Sequence, residues 1–365
     1  MKFLLVTLEY FPFKGGVANY YTNLVYHWPK SSEITVLDNK NNNLLRKNGP
    51  LKWLPAVLTI WKEIRKNKIN HILVGQILPI GTASFILSLV LNIRYTVFLH
   101  GLDLSSASKN RWKKFLTKKI IKKSDNIICA NSFVCEILKN NYKVNNKKII
   151  VVNPGVNNFN FDSKDKKNEL IKKYDLFNKK IIFSLGRLVK RKGFDYTILS
   201  LKKVFELDNG MDLKYVISGV GPDEKYLKDL AVKTFGENFK EKIVFTGEIS
   251  EEEKWTFLSL SDIFIMPARN IAGDYEGFGI VFLEAGLLSK PVIAGKSGGI
   301  SDAVVNNVNG LMVDPESQED IAEAILKLLK NPNLSKSLGD SGRERAVNKF
   351  NWLKQSNEIY EFLNK

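Results

Sequence analysis

The feature that most constrains this chain is its rhythm: short β-branched or aliphatic runs alternate with helical stretches from one end to the other. In the first half, strands are expected at 2–8, 34–37, 71–74, 95–99, 126–130 and 149–152. In the second half they recur at 180–185, 213–218, 243–246, 263–267, 291–294 and 310–313. Continuous apolar strands separated by amphipathic helices mark parallel sheets covered on both faces. Two such sets predict an α/β protein of two Rossmann-like, doubly wound parallel-sheet domains. A length of 365 residues also suits two domains better than one.

The sets are separated by Asn153-Pro154-Gly155-Val156-Asn157, followed by a polar, lysine-rich stretch to Lys173. Pro and Gly together end a strand and allow a turn. The expected domains are therefore 1–155 and 156–345, with a final helix over 346–365 crossing back to the first. Ligands of open parallel sheets sit beyond the carboxyl ends of the strands, so two sheets facing across a cleft would share one site.

The apolar run at the start is short and is followed by Glu9 and Pro12, which fits a buried strand better than a signal peptide. The greasy stretch 77–93 is broken by Pro79, Gly81 and Asn92 and falls at or just short of a bilayer span, so a buried crossover helix is expected. Cys129 and Cys135 fit neither a disulfide framework nor a common metal spacing, and read as reduced thiols of a cytoplasmic protein.

Charge is informative once divided. The net charge is +17, and residues 1–160 carry 24 Lys/Arg against 7 Asp/Glu, the whole of that excess. Residues 161–365 carry 31 of each and balance to zero. Such asymmetry points to a polyanionic surface met by the first half alone. The segment 110–123 has apolar residues at Trp112, Phe115, Leu116, Ile120 and Ile121, with lysines filling most other positions. At helical period that is an apolar stripe flanked by charge, the pattern of a helix lying in a lipid interface, although such a stripe can also pack on its own domain.

Several motifs follow predicted strands. Glu276-Gly277-Phe278-Gly279-Ile280-Val281-Phe282-Leu283-Glu284 separates two carboxylates by seven residues. Backbone amides at Gly277, Phe278 and Gly279 would be open to an anion or hydroxyl at the helix start near Ile280. A helix throughout would set the two carboxylates about 12 Å apart along its axis. Ser184-Leu185-Gly186-Arg187-Leu188-Val189-Lys190-Arg191-Lys192-Gly193 offers Arg187 and Lys192 as a clamp for a diphosphate. Gly219-Val220-Gly221-Pro222 lacks the third glycine of a dinucleotide fingerprint, since Glu224 stands there. Gly295-Lys296-Ser297 imitates a P-loop tail, but position 290 is Lys290. In the first half, Gly15-Gly16 opens a helix with bare amides suited to a phosphate or a reacting sugar. His100-Gly101-Leu102-Asp103 stands at a strand's carboxyl end.

Taken together, Gly15-Gly16, His100-Gly101, Asn153-Pro154-Gly155-Val156, Arg187 with Lys192, Gly219-Val220-Gly221-Pro222 and Glu276/Glu284 resemble glycosyltransferase family 4, a retaining family with the GT-B fold. The segments 266–285 and 291–299 are especially similar to the phosphatidylinositol mannosyltransferase branch. That resemblance implies a donor diphosphate held by Arg187 and Lys192, ribose hydroxyls on Glu284, and the transferred sugar on Glu276 with the Phe278 and Gly279 amides. It implies Gly16 near the phosphate or acceptor, and His100 facing the sugar near its reactive carbon with Asp103 beside it. The loops 219–222 and 247–250, including Ile249, would shape the nucleotide pocket. The family usually has Asp where Asn157 stands.

The implied partners are a nucleotide-sugar, GDP-mannose before UDP-sugars, and a lipid or lipid-linked glycan acceptor on an anionic membrane, met from the inner face. No cofactor or metal is expected, since no Asp-x-Asp occurs in the chain. A soluble acceptor is the alternative for the same fold. A nucleic-acid partner is suggested by charge alone, and with no recognised binding module none is expected.

Overall fold

The computed structural model describes residues 1–13, 15–46, 51–108, 110–157 and 163–365. Residues 158–162, within the lysine-rich stretch, lie outside these. The first parallel sheet contains β1 (Phe3–Val6), β2 (Ile34–Leu37), β3 (His71–Val74), β4 (Arg94–Leu99), β5 (Asn126–Cys129) and β6 (Ile149–Val151). The second contains β7 (Lys180–Leu185), β8 (Leu213–Ser218), β9 (Ile243–Gly247), β10 (Ile263–Met266), β11 (Val292–Gly295) and β12 (Leu311–Val313). Every expected strand is present, with no end displaced by more than two residues.

The strand orders are β2-β1-β3-β4-β5-β6 and β12-β11-β10-β7-β8-β9. The winding reverses between β1 and β3 in one sheet, and between β7 and β10 in the other. At such a reversal neighbouring loops leave in opposite directions and open a crevice at the carboxyl edge.

Contacts divide the chain into one unit of Met1–Gly155 with Asn351–Lys365 and another of Val156–Phe350. In the first, strand side chains alternate between two cores, as the period of two demands. Leu4 and Val6 join a cluster with Ile60, Leu87, Ile120 and Leu138. Phe3 and Leu5 face the other way, onto Tyr20, Tyr21, Trp352 and Ile359. The helix Trp352–Asn364 thus completes a face of the first sheet. The stretch 77–93 supplies the helix Ile80–Leu91, most of it buried, as a crossover helix should be. The second unit has one large core running through both faces of its sheet. Burying each of these aliphatic side chains contributes about 1.5–3 kcal/mol.

Candidate active site

The crevice between β7 and β10 gathers the charged residues. After β7 the chain passes Gly186 and Arg187, makes the short 3-10 turn Lys190–Lys192, and enters the helix Phe194–Leu207. After β10 it runs through Pro267 and Arg269 to Glu276, and the helix Ile280–Leu287 follows. Lys192 and Glu276 are both buried, and Nζ of Lys192 lies 2.7 Å from Oε2 of Glu276. The Arg191 guanidinium also bonds Oε2 of Glu276, and its Nε lies 3.2 Å from Asp274. Burial acts to raise the Glu276 pKa, but Lys192 and Arg191 outweigh it and hold the carboxyl below its ordinary value.

The loop after β11 holds Glu276 from behind. Gly299 N donates to the Glu276 carbonyl at 3.0 Å, and Glu276 N donates to the Ser297 hydroxyl at 3.4 Å. Gly298 has φ +52, and a Cβ there would come within 2.1 Å of the Glu276 carbonyl oxygen. Only glycine allows that approach. Loops from β7, β10 and β11 therefore converge on one residue, the first on its carboxylate and the last on its backbone. Beneath them Arg269 and Asp195 form a buried two-pronged pair at 2.8 Å, tying the β10 loop to the helix Phe194–Leu207.

The two cations expected to clamp a diphosphate differ in setting. Lys192 is buried against Glu276, whereas Arg187 is exposed. Arg191 was not singled out by the sequence reading. It is visible there only as the middle of a basic triplet, because its partners lie 83 and 85 residues away and depend on β10 lying beside β7.

Glu284 lies within the helix Ile280–Leu287 and meets Lys254, whose Nζ stands 2.7 Å from its Oε1. Since that helix begins at Ile280, the 12 Å separation expected for continuous helix from Glu276 to Glu284 does not apply. Burial raises the Glu284 pKa despite the opposing lysine. The two carboxylates are thus pushed in opposite directions. Lys254 is aimed by its helix, which opens with a capping box between Ser250 and Glu253, directly after Ile249. Ile249 is half-buried against the core.

The glycines of 219–222 serve loop packing. Gly219 has φ +127, and a Cβ there would stand 2.0 Å from the Gly186 carbonyl oxygen. One at Gly221 would meet the Leu188 carbonyl oxygen at 2.3 Å. The loops after β7 and β8 therefore touch backbone to backbone, joined by Leu188 N to Val220 O at 3.0 Å. Phe278 points into the core, with its ring 5.6 Å from that of Phe350. Gly277 and Gly279 flank it, and Ile280 opens the helix, whose first turn has no acidic residue and no side-chain cap.

In the first unit, the β1–β3 crevice holds the remaining candidates. Gly15 precedes the helix Gly16–Tyr26 with no side-chain cap, and a Cβ on Gly16 would meet nothing within 4 Å. His100 follows β4, and its backbone N–H donates to Asp103 at 3.1 Å. Its Nε2 lies 2.8 Å from the Tyr21 hydroxyl. Burial lowers the His100 pKa to about 4 and raises that of Asp103 to about 6. Nothing in the sequence alone singles out Tyr21, whose partner His100 lies 79 residues away.

The segment 110–123 forms the helix Arg111–Lys123, capped by the Asn110 side chain. Its apolar stripe splits in two. Ile120 and Ile121 pack into the domain, while Trp112 and Phe115 remain 70% and 50% exposed. Their rings stack at 5.8 Å among lysines. The helix Leu54–Asn67 also exposes an apolar residue, Leu58, and lays Arg65 over the Trp61 ring at 5.0 Å. Both helices pack against Ile80–Leu91. Among the described residues no helix is long and apolar enough to cross a membrane, and no group of three His, Cys, Asp or Glu could hold a metal ion.

Residues 166–345 match the family model described as glycosyl transferases group 1, and residues 14–158 match glycosyltransferase family 4. An uncharacterized glycosyltransferase of Methanocaldococcus jannaschii is 29% identical, over 97% of this chain and 95% of that one. A GDP-mannose-dependent alpha-(1-6)-phosphatidylinositol monomannoside mannosyltransferase of Mycobacterium tuberculosis is 36% identical, over 53% of this chain and 50% of that one. Among solved structures, Anabaena HepE in complex with UDP superposes with TM-score 0.82 at 18% identity, covering 100% of both chains. A glycosyltransferase from Rickettsia africae gives TM-score 0.81 at 23% identity, covering 99% and 98%.

Proposed function

The chain belongs to glycosyltransferase family 4, and on that premise we propose that it moves a hexose, mannose before others, from a nucleotide-sugar to a lipid or lipid-linked glycan at an anionic membrane surface. The observation that carries this reading is the buried Lys192–Glu276 contact in the β7–β10 crevice. As a donor diphosphate enters, Lys192 turns to it together with the exposed Arg187, and Arg191 keeps its hold on Asp274. The Glu276 carboxylate, freed of Lys192 and still held by Arg191, then accepts hydrogen bonds from the sugar hydroxyls. Glu284, steadied by Lys254, accepts from the ribose.

The chemistry follows from where charge develops. Breaking the bond to the anomeric carbon puts positive charge on the sugar ring and negative charge on the departing diphosphate. Fixed cations beside the diphosphate stabilise that separation most effectively in a site that excludes water. In this reading the transfer retains the anomeric configuration and needs no metal. Residues 156–345 take the donor. Residues 1–155 bring the acceptor, with Gly15 and Gly16 near the donor phosphate or the acceptor, and His100, backed by Asp103, at the sugar.

The membrane part of the reading rests on the charge excess of residues 1–160 and on the exposed aromatics of two basic helices. Anionic lipid attracts each nearby basic residue by about 1 kcal/mol. Docking would occur at the inner face of the membrane. The test is transfer from GDP-mannose and UDP-sugars to endogenous lipid in anionic vesicles. Mannosyl transfer that requires vesicles supports the proposal. Transfer to soluble sugars alone replaces the lipid acceptor, and transfer from no donor refutes the reading.

A further inference from the structure

Tyr21 and His100 come from different elements, the helix Gly16–Tyr26 and the loop after β4, and meet at the carboxyl end of β3. The Tyr21 hydroxyl lies 2.6 Å from the Gly75 carbonyl oxygen and 2.8 Å from Nε2 of His100. A phenol has one proton to donate, and a carbonyl oxygen can only accept. The Tyr21 proton therefore points to Gly75. Its oxygen turns a lone pair to the imidazole, and the contact requires a hydrogen on Nε2.

A neutral imidazole carries one N–H, so Nδ1 keeps its lone pair. Among the described residues no group bonds Nδ1 of His100. The ring itself is held on edge by two tyrosines, with centroids 4.9 Å from Tyr20 and 5.3 Å from Tyr21. Asp103 takes the backbone N–H of His100. Glu9, the other carboxylate of this cluster, lies near Gly15 across the crevice.

We propose that Tyr21 is a positioning residue that locks His100 in its Nε2–H tautomer, so that the ring presents Nδ1 as a hydrogen-bond acceptor. The group it meets must then be a donor, a sugar hydroxyl, and not a phosphate or carbonyl oxygen. A neutral ring with its lone pair toward that hydroxyl places electron density beside a carbon that becomes cationic, where an imidazolium would oppose the charge. The choice of a sugar hydroxyl rests on the glycosyltransferase reading above; the lock itself does not.

Two measurements separate the claims. The chain has three histidines, so 15N-histidine spectra of the ligand-free protein can be assigned by deletion with His27→Gln and His100→Gln. The expected result is a protonated Nε2 and an unprotonated Nδ1 for His100, with mixed tautomers in Tyr21→Phe. A protonated Nδ1 in the wild type, or an unchanged tautomer in Tyr21→Phe, overturns the lock whatever the enzyme does. In transfer assays Tyr21→Phe should lower kcat roughly 10- to 100-fold with little change in the donor KM, as expected for a misaligned contact. A loss confined to melting temperature, with kcat unchanged, overturns the positioning role.

Discussion

Nζ of Lys192 lies 2.7 Å from Oε2 of Glu276, although 84 residues of sequence separate them. The contact exists because β10 inserts beside β7, so that the loops leaving both strands open onto one crevice. Arg191 shares the same carboxylate. A buried charge pair is weak as a source of stability, because desolvation offsets much of the attraction. Its persistence here fits a group waiting to exchange partners with a ligand.

Arg187 and Lys192 should separate activity from stability. Arg187 is exposed, so Arg187→Ala should stay within about 0.5 kcal/mol of wild-type stability, while transfer falls about 100- to 1,000-fold. Lys192→Ala should also nearly abolish transfer, but it deprives buried Glu276 of a partner and should destabilise by roughly 1–3 kcal/mol. Denaturant unfolding and steady-state kinetics on the same preparations decide this. Normal turnover by either variant contradicts the assigned role.

Glu284 should contribute to nucleotide binding and not to diphosphate binding. Glu284→Gln should weaken a nucleoside diphosphate about 10-fold or more, the scale of a lost hydrogen bond to a charged group. Inorganic pyrophosphate, which has no ribose, should bind as before. Titration calorimetry with both ligands tests the distinction, and equal losses for the two would remove the ribose assignment.

The exposed part of the 111–123 helix should carry membrane binding without carrying the fold. Trp112→Ser with Phe115→Ser should leave the melting temperature unchanged and cut binding to anionic vesicles about 10-fold or more. Binding of the wild type should weaken as salt is raised. Flotation of both proteins at low and high salt gives the answer. Salt-insensitive binding, or equal binding by the variant, would argue against docking through this surface.

Acid should act through the buried histidines. The pKa values of His100 and His71 are lowered by burial to about 4 and about 3, with Arg94 adding to the effect at His71. An unfolded histidine titrates near its ordinary 6.5. Below that value the unfolded chain binds protons that the folded chain refuses. The stability these residues contribute is therefore full above 6.5 and is lost as the pH falls, toward about 4 for His100 and about 3 for His71. Asp103 runs the other way. Raised by burial from 3.8 to about 6, its contribution is full in acid and is lost as the pH rises through 6. Histidine ring shifts followed against pH should show His100 neutral at pH 6, and a midpoint near 6.5 would contradict the burial argument.

The sheets were legible because each strand is a continuous apolar run and each run is bounded by polar or glycine-rich turns. Glu276 and Glu284 were legible for a local reason, lying in one motif with seven small or apolar residues between them. Their partners were not. Arg191, Lys254 and Tyr21 reach Glu276, Glu284 and His100 across 85, 30 and 79 residues. Such contacts depend on strand order and loop direction, which no local pattern records. The split of the 111–123 stripe was hidden for the same reason, since periodicity gives a face its apolar character but not its neighbour. Gly219 and Gly221 stand where the sequence suggests a ligand loop, and their close backbone contacts became visible only with the β8 loop folded onto Gly186 and Leu188.

The most direct test of the account is donor binding by the wild type, Lys192→Met and Glu276→Gln, read by thermal shift across GDP-mannose, UDP-sugars and the corresponding free diphosphates. A ligand that binds only the folded state raises its melting point. A rise with at least one donor is expected in the wild type, and its loss for donor and free diphosphate in Lys192→Met. In Glu276→Gln a reduced response to the donor is expected, with the free diphosphate retained. No response of the wild type to any of these ligands, or an unaltered response in Lys192→Met, would contradict the account.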